Sequence, residues 1–495
     1  MKIAFGGKFV GGAQAAAAVF LLGGAAAPQA RLVDAITAFD ASAGAVTALP
    51  AKLSLTGLYD NTASKTRAVT EGITGYEINS ALWSDGAHKA RWITVPAGSN
   101  IVPTDTDRYA FPDKTVLIKN FAIDTVAGDS SSRIIIETRF LVLHKNGSAT
   151  EYKGISYAWN REQTDADLVN QTSGLNRVIA IRAGGKQVGK RWQYPSRSAC
   201  TSCHLGRGVL GFVTPQLNRP SKANAAVNQL ADFATKGLLS KNPLTASPNA
   251  MKWAGLDEAG ATTELKARSW LAANCSHCHG NGNKATLAMP HDFDLMNKGM
   301  AFMYDPAGAD DQGGYMNKDA KTRTDEYPYI MKAGSPDSSL AIKRMITRGS
   351  PEAPLDGLYD QMPWLATYQP DSAGVRAVAD WICAVGKKST GATCKIPDVI
   401  QPPEPEVSIR YIRHSRIMTG QTGIVAFMAN GYLYLQASLH GSAGSAAAPV
   451  LSDVNGKAVD LRPAGKDVYA LPGGLPPGTY FLRWRGETIT VSAGI

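Results

Sequence analysis

The sequence predicts a multidomain α+β protein with a β-sandwich-like N-terminal domain, an all-α centre and a small C-terminal β-sandwich. Three observations carry that expectation. Between about Leu53 and Tyr194, β-branched and aromatic runs alternate with Gly, Asn and Asp turn clusters, the pattern of antiparallel strands. Two units with helical character follow, from Pro195 to about Leu244 and from Thr262 to about Val385, and strand-like runs return from about Val407 to Ile495. A chain of 495 residues is too long for one hydrophobic core, which supports the division.

At the N-terminus, Lys2 and Lys8 precede the alanine-rich apolar run Ala15–Ala27, and small residues follow it. Residues 1–30 therefore read as a signal peptide cut between Ala26 and Ala30, and the protein is expected outside the cytoplasm, periplasmic or at the cell surface. No later stretch offers about eighteen uninterrupted apolar residues, so no transmembrane span is expected. The net charge of +10 is spread along the chain. Without a basic stripe it excludes nucleic acid and fits an acidic protein partner.

Residues 50–194 form the β-rich domain, with strand-like runs at Thr115–Lys119, Arg133–Leu143 and Ile155–Trp159 and a turn at Lys145-Asn146-Gly147. Residues 195–250 form a helical region whose main run, Ala225–Phe233, ends at Gly237, a helix-stopping glycine. Residues 260–395 open with the helical run Glu264–Leu271 and close with Ala373–Ile382. The stretch 396–406 holds Pro397, Pro402, Pro403 and Pro405, which makes it an extended linker. Residues 407–495 carry turn signals at Asn430-Gly431, Asn455-Gly456 and Pro472-Gly473-Gly474, as a separate β-sandwich requires.

Two short strings decide the chemistry. Cys200-Thr201-Ser202-Cys203-His204 and Cys275-Ser276-His277-Cys278-His279 are each a complete C-x-x-C-H haem-attachment motif. Each supplies two thiols to add across the vinyl groups of a haem and an adjacent imidazole to ligate its iron. The centre is thus expected to hold all-α cytochrome c-type haem domains. They would carry two covalently bound haem c groups attached at Cys200, Cys203, Cys275 and Cys278, with His204 and His279 as proximal iron ligands. The helix, motif, helix order of residues 260–395 suits that fold. Two Cys-x-x-Cys pairs can also build a four-thiolate zinc site. The distance between the pairs in sequence and the histidine that trails each argue against zinc. Of six cysteines in all, Cys383 and Cys394 remain, flanking a Gly/Lys/Ser/Thr-rich turn. In an oxidising compartment they read as a disulfide, the alternative being free thiols.

The far side of each iron needs a second ligand. Met362, in Gln361-Met362-Pro363 ahead of the closing helix, is the candidate at the second haem, with Met289 as a rival lying close after His279. For the first haem no methionine follows His204 until Met251 and no histidine until His277, inside the second motif. Met251, His144, His88 or no protein ligand remain open there.

Several runs carry a resemblance. Tyr76–Gly86, Ile136–Arg139, Tyr157–Asn160 with Gln163–Ala166, and Tyr194–Arg197 leading into Cys200 are similar to a family of exported bacterial dihaem c-type cytochromes. So are Leu210–Phe212, Gln216–Arg219, Ala273–Cys275, Ala333–Leu340, Arg344-Met345 and Met362-Pro363, and the resemblance covers about residues 50–385. It implies a β-rich N-terminal module, two attached haems, Met362 as distal ligand of the second, and electron transfer with a quinoprotein dehydrogenase or another cytochrome as redox partner. Leu451–Lys457, Tyr469 and Leu475–Arg483 resemble a sorting domain of the type IX secretion system, which implies the cell surface. The expected function is electron carriage by two haems. The alternatives are a dihaem peroxidase-like oxidoreductase with an open first haem and a surface interaction module.

Overall fold

The structure, a computed structural model, describes residue 32 and residues 49–64, 67–104, 109–146, 149–170, 172–204, 208–248, 250, 252–277, 316–317, 319–320, 325–348, 361–363, 367–390, 394–399 and 401. In the C-terminal region it describes 424–429, 432–437, 449–453, 457–465, 468–470, 478–484 and 487–493. The signal-peptide and most linker residues lie outside these ranges.

The first strands are β1 (Thr74–Gly75), β2 (His88–Thr94), β3 (Val102–Pro103), β4 (Tyr109–Ala110), β5 (Val116–Asp124), β6 (Arg133–Asn146), β7 (Ala149–Trp159), β8 (Ala166–Leu168), β9 (Leu175–Ala183) and β10 (Lys186–Tyr194). Six of them form one antiparallel sheet in the order β1-β2-β5-β6-β7-β8, while β3–β4 and β9–β10 are two-stranded ribbons. Alternation sends Val116, Ile118, Phe140, Val142, Ile155 and Tyr157 to one face and Leu117, Leu141 and Leu143 to the other. Both faces are buried, which is why the strands read as nearly continuous apolar runs.

What covers those faces departs from a sandwich. On one side lie Leu49, Leu53, Leu58 and Tyr59, from the segment before β1. On the other lie Val209, Phe212, Leu217, Leu230 and Phe233, together with Trp192 and Tyr194 of β10. A second sheet is not needed, because short helices and loops supply the apolar layer.

The helices are α1 (Arg197–His204), α2 (Thr214–Leu217), α3 (Gln229–Thr235), α4 (Pro243–Ala246), α5 (Thr263–Asn274), α6 (Leu340–Ile346) and α7 (Ser372–Thr390). They overturn the expectation of a central all-α haem region. The described protein is mostly β, and of its helices only α5 and α7 exceed eight residues. The apolar residues of 209–239 close no core of their own, but join Ile93, Leu117, Leu141 and Leu143 of the sheet in one cluster. Helix α3 also starts later than the alanine run suggested. The Asn228 side chain caps it by accepting from Leu230 N, and Gly237 follows its end with φ 72°.

Helix α5 is capped by Thr262, whose side chain accepts from Leu265 N, and packs on α7. A Cβ on Gly374 of α7 would collide with the Trp270 ring, whose Nε1 donates to Asp371 Oδ2 at 2.7 Å. Around this pair Leu271, Val378, Trp381 and Ile382 meet Met316, Tyr327, Ile330 and Met331 from non-helical segments, so this core too is only partly helical.

Cys383, near the end of α7, is bonded to Cys394 as a disulfide, with 5.5 Å between Cα atoms. Beyond it, β11 (Ile424–Ala429), β12 (Tyr432–Ala437), β13 (Val450–Asp453), β14 (Ala458–Val459), β15 (Arg462–Gly465), β16 (Val468–Ala470), β17 (Gly478–Trp484) and β18 (Glu487–Ala493) form two four-stranded sheets, β11-β12-β16-β15 and β14-β13-β17-β18. No helix among the described residues is long and apolar enough to cross a membrane.

Candidate functional site

Helix α1 carries the first motif, and its spacing puts Cys200 and Cys203 one turn apart. It lies on β7 at a point where only glycine fits. A Cβ on Gly154 would stand 2.5 Å from both Cβ and Sγ of Cys200. Gly154 pairs with Leu141 across the ladder, so α1 sits on the face that also carries Leu117 and Leu143. Just past the helix, Gly208 has φ 65° and packs on Tyr152, where any side chain would clash with the phenol.

His204 is oriented by the chain that follows it. Its Nδ1 lies 2.7 Å from the Gly208 carbonyl; a carbonyl only accepts, so Nδ1 carries the proton and Nε2 keeps its lone pair. Burial pulls the His204 pKa down to about 4, with Lys119 and Arg139 acting in the same direction. The ring is therefore neutral at physiological pH, as an iron ligand must be.

Beneath α1 the sheet carries a buried polar belt. Glu137 is fully buried; its Oε1 and Oε2 accept from Arg139 Nε at 2.9 Å and Nη2 at 3.0 Å, from Ser156 Oγ at 2.7 Å and from Trp192 Nε1 at 3.0 Å. The Arg139 guanidinium also lies 4.7 Å from the centre of the Phe121 ring. A buried charge with this many partners is satisfied.

The second motif begins at the C-terminus of α5, where Cys275 N donates to Leu271 O at 2.8 Å and Ser276 Oγ to Ala272 O at 2.6 Å. Cys278 and His279 lie outside the described residues, as do Met251 and Met289. Burial raises the thiol pKa of Cys275 to about 12 and raises that of Cys200 as well, so both are held as neutral thiols. Met362 is half-buried, and its N–H donates to Arg344 O at 2.9 Å. The loop beyond it reaches the second motif through Trp83, whose N–H donates to Asn274 Oδ1 at 2.6 Å and whose Nε1 donates to Gln369 O at 2.8 Å.

The two motif regions border one cleft with about 870 Å³ of space, part of it open to solvent. Val209–Val213, following the first motif, form one wall, and Ala272, Ala273, Ser276 and His277 form another. Tyr109, Phe111, Tyr152 and Trp253 line it, with Arg91 and Lys119 from the sheet. Two buried polar atoms of lining residues, Trp253 Nε1 and His277 Nδ1, have no hydrogen-bond partner among the described residues. A flat apolar group with polar edges suits this lining, so the residues fit a haem.

Other sequence candidates are placed apart. His144 alternates with Leu143 and so projects from the opposite face of the sheet to α1; its Nδ1 is 3.6 Å from Asp113 Oδ1. His88 is exposed and 3.3 Å from Asp124 Oδ2. Neither is brought to the first motif. Cys200, Cys203 and Cys275 do not gather: among the described residues no group of three or more His, Cys, Asp or Glu could hold a metal ion.

Sequence reasoning missed the clamp that joins the two motifs. Asn79 Nδ2 donates to Pro215 O at 2.9 Å and Asn218 O at 3.2 Å, and Gln216 exchanges hydrogen bonds with the backbone of Ser80. Asn274 Nδ2 donates to Ala81 O at 3.1 Å, and the Asp85 carboxylate accepts from the N–H groups of Tyr368 and Gln369. The polar residues of Tyr76–Gly86, conspicuous in the sequence, thus bind backbone on both sides. No protein-family model, curated protein or solved structure matches this chain.

Proposed function

We propose that this chain is an exported dihaem c-type cytochrome that carries electrons. Its haems would be attached through Cys200 and Cys203 and through Cys275 and Cys278, with His204 and His279 as proximal ligands. One observation carries the reading: Val209–Val213, which follow the first C-x-x-C-H motif, and Ser276 and His277 of the second line the same aromatic-lined cleft. A bound haem c supplies an iron that exchanges single electrons. The chain's own part is positional. Helix α1 presents two thiols on one face, Gly208 fixes the tautomer of His204, and the cleft's aromatic side chains exclude water. Met362, on the loop tied to α5 by Trp83, is proposed as distal ligand of the second haem. The electron donor is proposed to be a quinoprotein dehydrogenase or another cytochrome. The C-terminal strands, with their likeness to a sorting domain, favour a cell-surface location over the periplasm.

The test is mass spectrometry of the mature protein from an export-competent host. Two covalent haem masses are expected, and Cys200→Ala should weaken attachment at the first motif only. One haem in the wild type, or bound zinc, would overturn the proposal.

A further inference from the structure

The buried face of the sheet holds more positive charge than its own residues neutralise. Ladder register places Arg91 of β2 opposite Lys119 of β5, and Lys119 opposite Arg139 of β6. Three cations therefore stand in one row across neighbouring strands, an arrangement that is destabilising in itself. Lys89 lies two residues from Arg91 on the same face. Alternation in the sequence offers this face apolar residues on either side, Leu117 and Leu141 toward one end and Phe121 and Ile123 toward the other. The row interrupts them.

Two of the four cations are compensated within the protein. Arg139 is held by both carboxylate oxygens of Glu137. Lys89 donates to Leu82 O at 2.6 Å and feels the charges of Asp371 and Asp85. Arg91 and Lys119 have no ion pair among the described residues. Glu77, the carboxylate whose charge acts on Arg91, is taken by Arg219 at 3.1 Å and Lys222 at 3.6 Å. The Lys119 ammonium lies 5.4 Å from the centre of the Phe121 ring, and Glu137, already bonded to Arg139, acts on it through its charge alone. Burial lowers the pKa of both Arg91 and Lys119, and the charges of Glu77 on Arg91 and of Glu137 on Lys119 offset it only in part. Both side chains line the cleft, as does Tyr152, which packs on Gly208, the residue whose carbonyl holds His204.

We propose that Arg91 and Lys119 form the carboxylate receptor of the cleft and bind the propionates of the haem attached at Cys200 and Cys203. The inference rests on the haem reading above. It assigns the two cations a positioning role: they set the angle of the macrocycle against the sheet and hold positive charge beside the first iron. Positive charge opposes the ferric state, so these residues keep the first potential high.

The experiment is a spectroelectrochemical titration of full-length holoprotein, with Lys119→Met, Lys119→Arg and Arg91→Gln beside the wild type, after mass spectrometry has counted the haems. Lys119→Met is expected to lower the midpoint of one haem only, by a tenfold change in the ferric-to-ferrous ratio at fixed potential, or ~59 mV for one electron. Arg91→Gln should act on the same haem, and Lys119→Arg should restore it. Resonance Raman bands of the propionates in the wild type, which need no variant, should show hydrogen-bonded carboxylates. Two haems present with both midpoints unchanged would overturn the receptor and leave the cytochrome reading standing. A wild-type midpoint that moves on adding phosphate at constant ionic strength would overturn it too, since the cations would then be open to free anions. Absence of haem from the wild type would instead remove the reading beneath it.

Discussion

Cys200 and Cys275 both stand at helices that open a haem motif, yet the two helices are held in place by different forces. Helix α1 has eight residues, too few to be stable alone, and rests on the sheet through Gly154 above the Glu137 belt. Helix α5 has twelve residues and its own Thr262 cap, and it is gripped by α7 through Trp270 and Gly374. Polar, long-range contacts thus fix the first motif, and apolar helix packing fixes the second. The comparison teaches that two C-x-x-C-H strings can be held by different supports, a sheet under α1 and a partner helix beside α5.

The largest expected effect falls on the first side of this comparison. Glu137→Ala leaves the Arg139 guanidinium buried without its counter-charge and removes the acceptor for Ser156 and Trp192. A loss of ~3–5 kcal/mol is expected for breaking such a pair. Urea unfolding followed by tryptophan fluorescence, together with haem staining of the two attachment peptides, should show loss at Cys200 with Cys275 spared. Equal loss at both would mean that the two regions share one support.

How much of this was legible in the sequence depends on the range of the interaction. The Cys383–Cys394 disulfide is local chemistry and could be read directly; the two C-x-x-C-H strings are as local, and the haem attachment they imply is the proposal above. The strands could also be read, because β-branched runs such as Val116–Ile118 and Ile134–Ile136 declare themselves. The second layer could not, since Val209, Phe212 and Leu230 look like a helical core until the sheet face they cover is known. Lys119 and Arg139 are charged residues that alternation places on the same face as Leu117, Leu141 and Phe121, and only the structure shows that Arg139 is met there by Glu137 and that Lys119 lines the cleft. His144 was the reverse case. Its neighbour Leu143 marks the inward face, and that alone turns the histidine away.

The disulfide sharpens the second side. Cys383 and Cys394 enclose a short loop at the end of α7, and closing such a loop is worth ~2–4 kcal/mol. Cys383→Ala with Cys394→Ala should lower the melting temperature of the α5–α7 unit and leave retention at Cys200 unchanged. In the wild type both thiols should resist alkylation until reductant is added; rapid labelling of the untreated protein would refute the bond.

Two glycines make the contrast a paired experiment. Gly154→Ala drives a methyl group into Cys200, and Gly374→Ala drives one into the Trp270 ring. Overpacking of this kind costs ~1–3 kcal/mol. The first substitution should weaken attachment at Cys200 and the second at Cys275, read from haem-stained peptides of each variant. If either variant lost both haems, the clamp of Asn79, Trp83 and Asp85 would be the dominant support, and Trp83→Phe should then reproduce the double loss.

Met362→Ala is expected to change stability least, because the side chain is only half-buried and its loop stays anchored by Met362 N–H on Arg344 O and by Gln361 Nε2 on Thr367 O. A cost below ~1.5 kcal/mol follows for a partly exposed thioether. Its spectroscopic effect should be large and confined to one haem. A methionine ligand holds a haem at high potential and closes the iron to outside ligands, so its loss should lower one midpoint, abolish the thioether-to-iron charge-transfer band of the ferric protein, and let carbon monoxide bind quickly to one reduced haem. Comparison with the Lys119→Met protein decides whether the two regions are electronically separate. The two variants should move different midpoints, each leaving the other within error. If both moved the same one, Met362 would serve the haem in the cleft, and the two motifs would share a single environment rather than two.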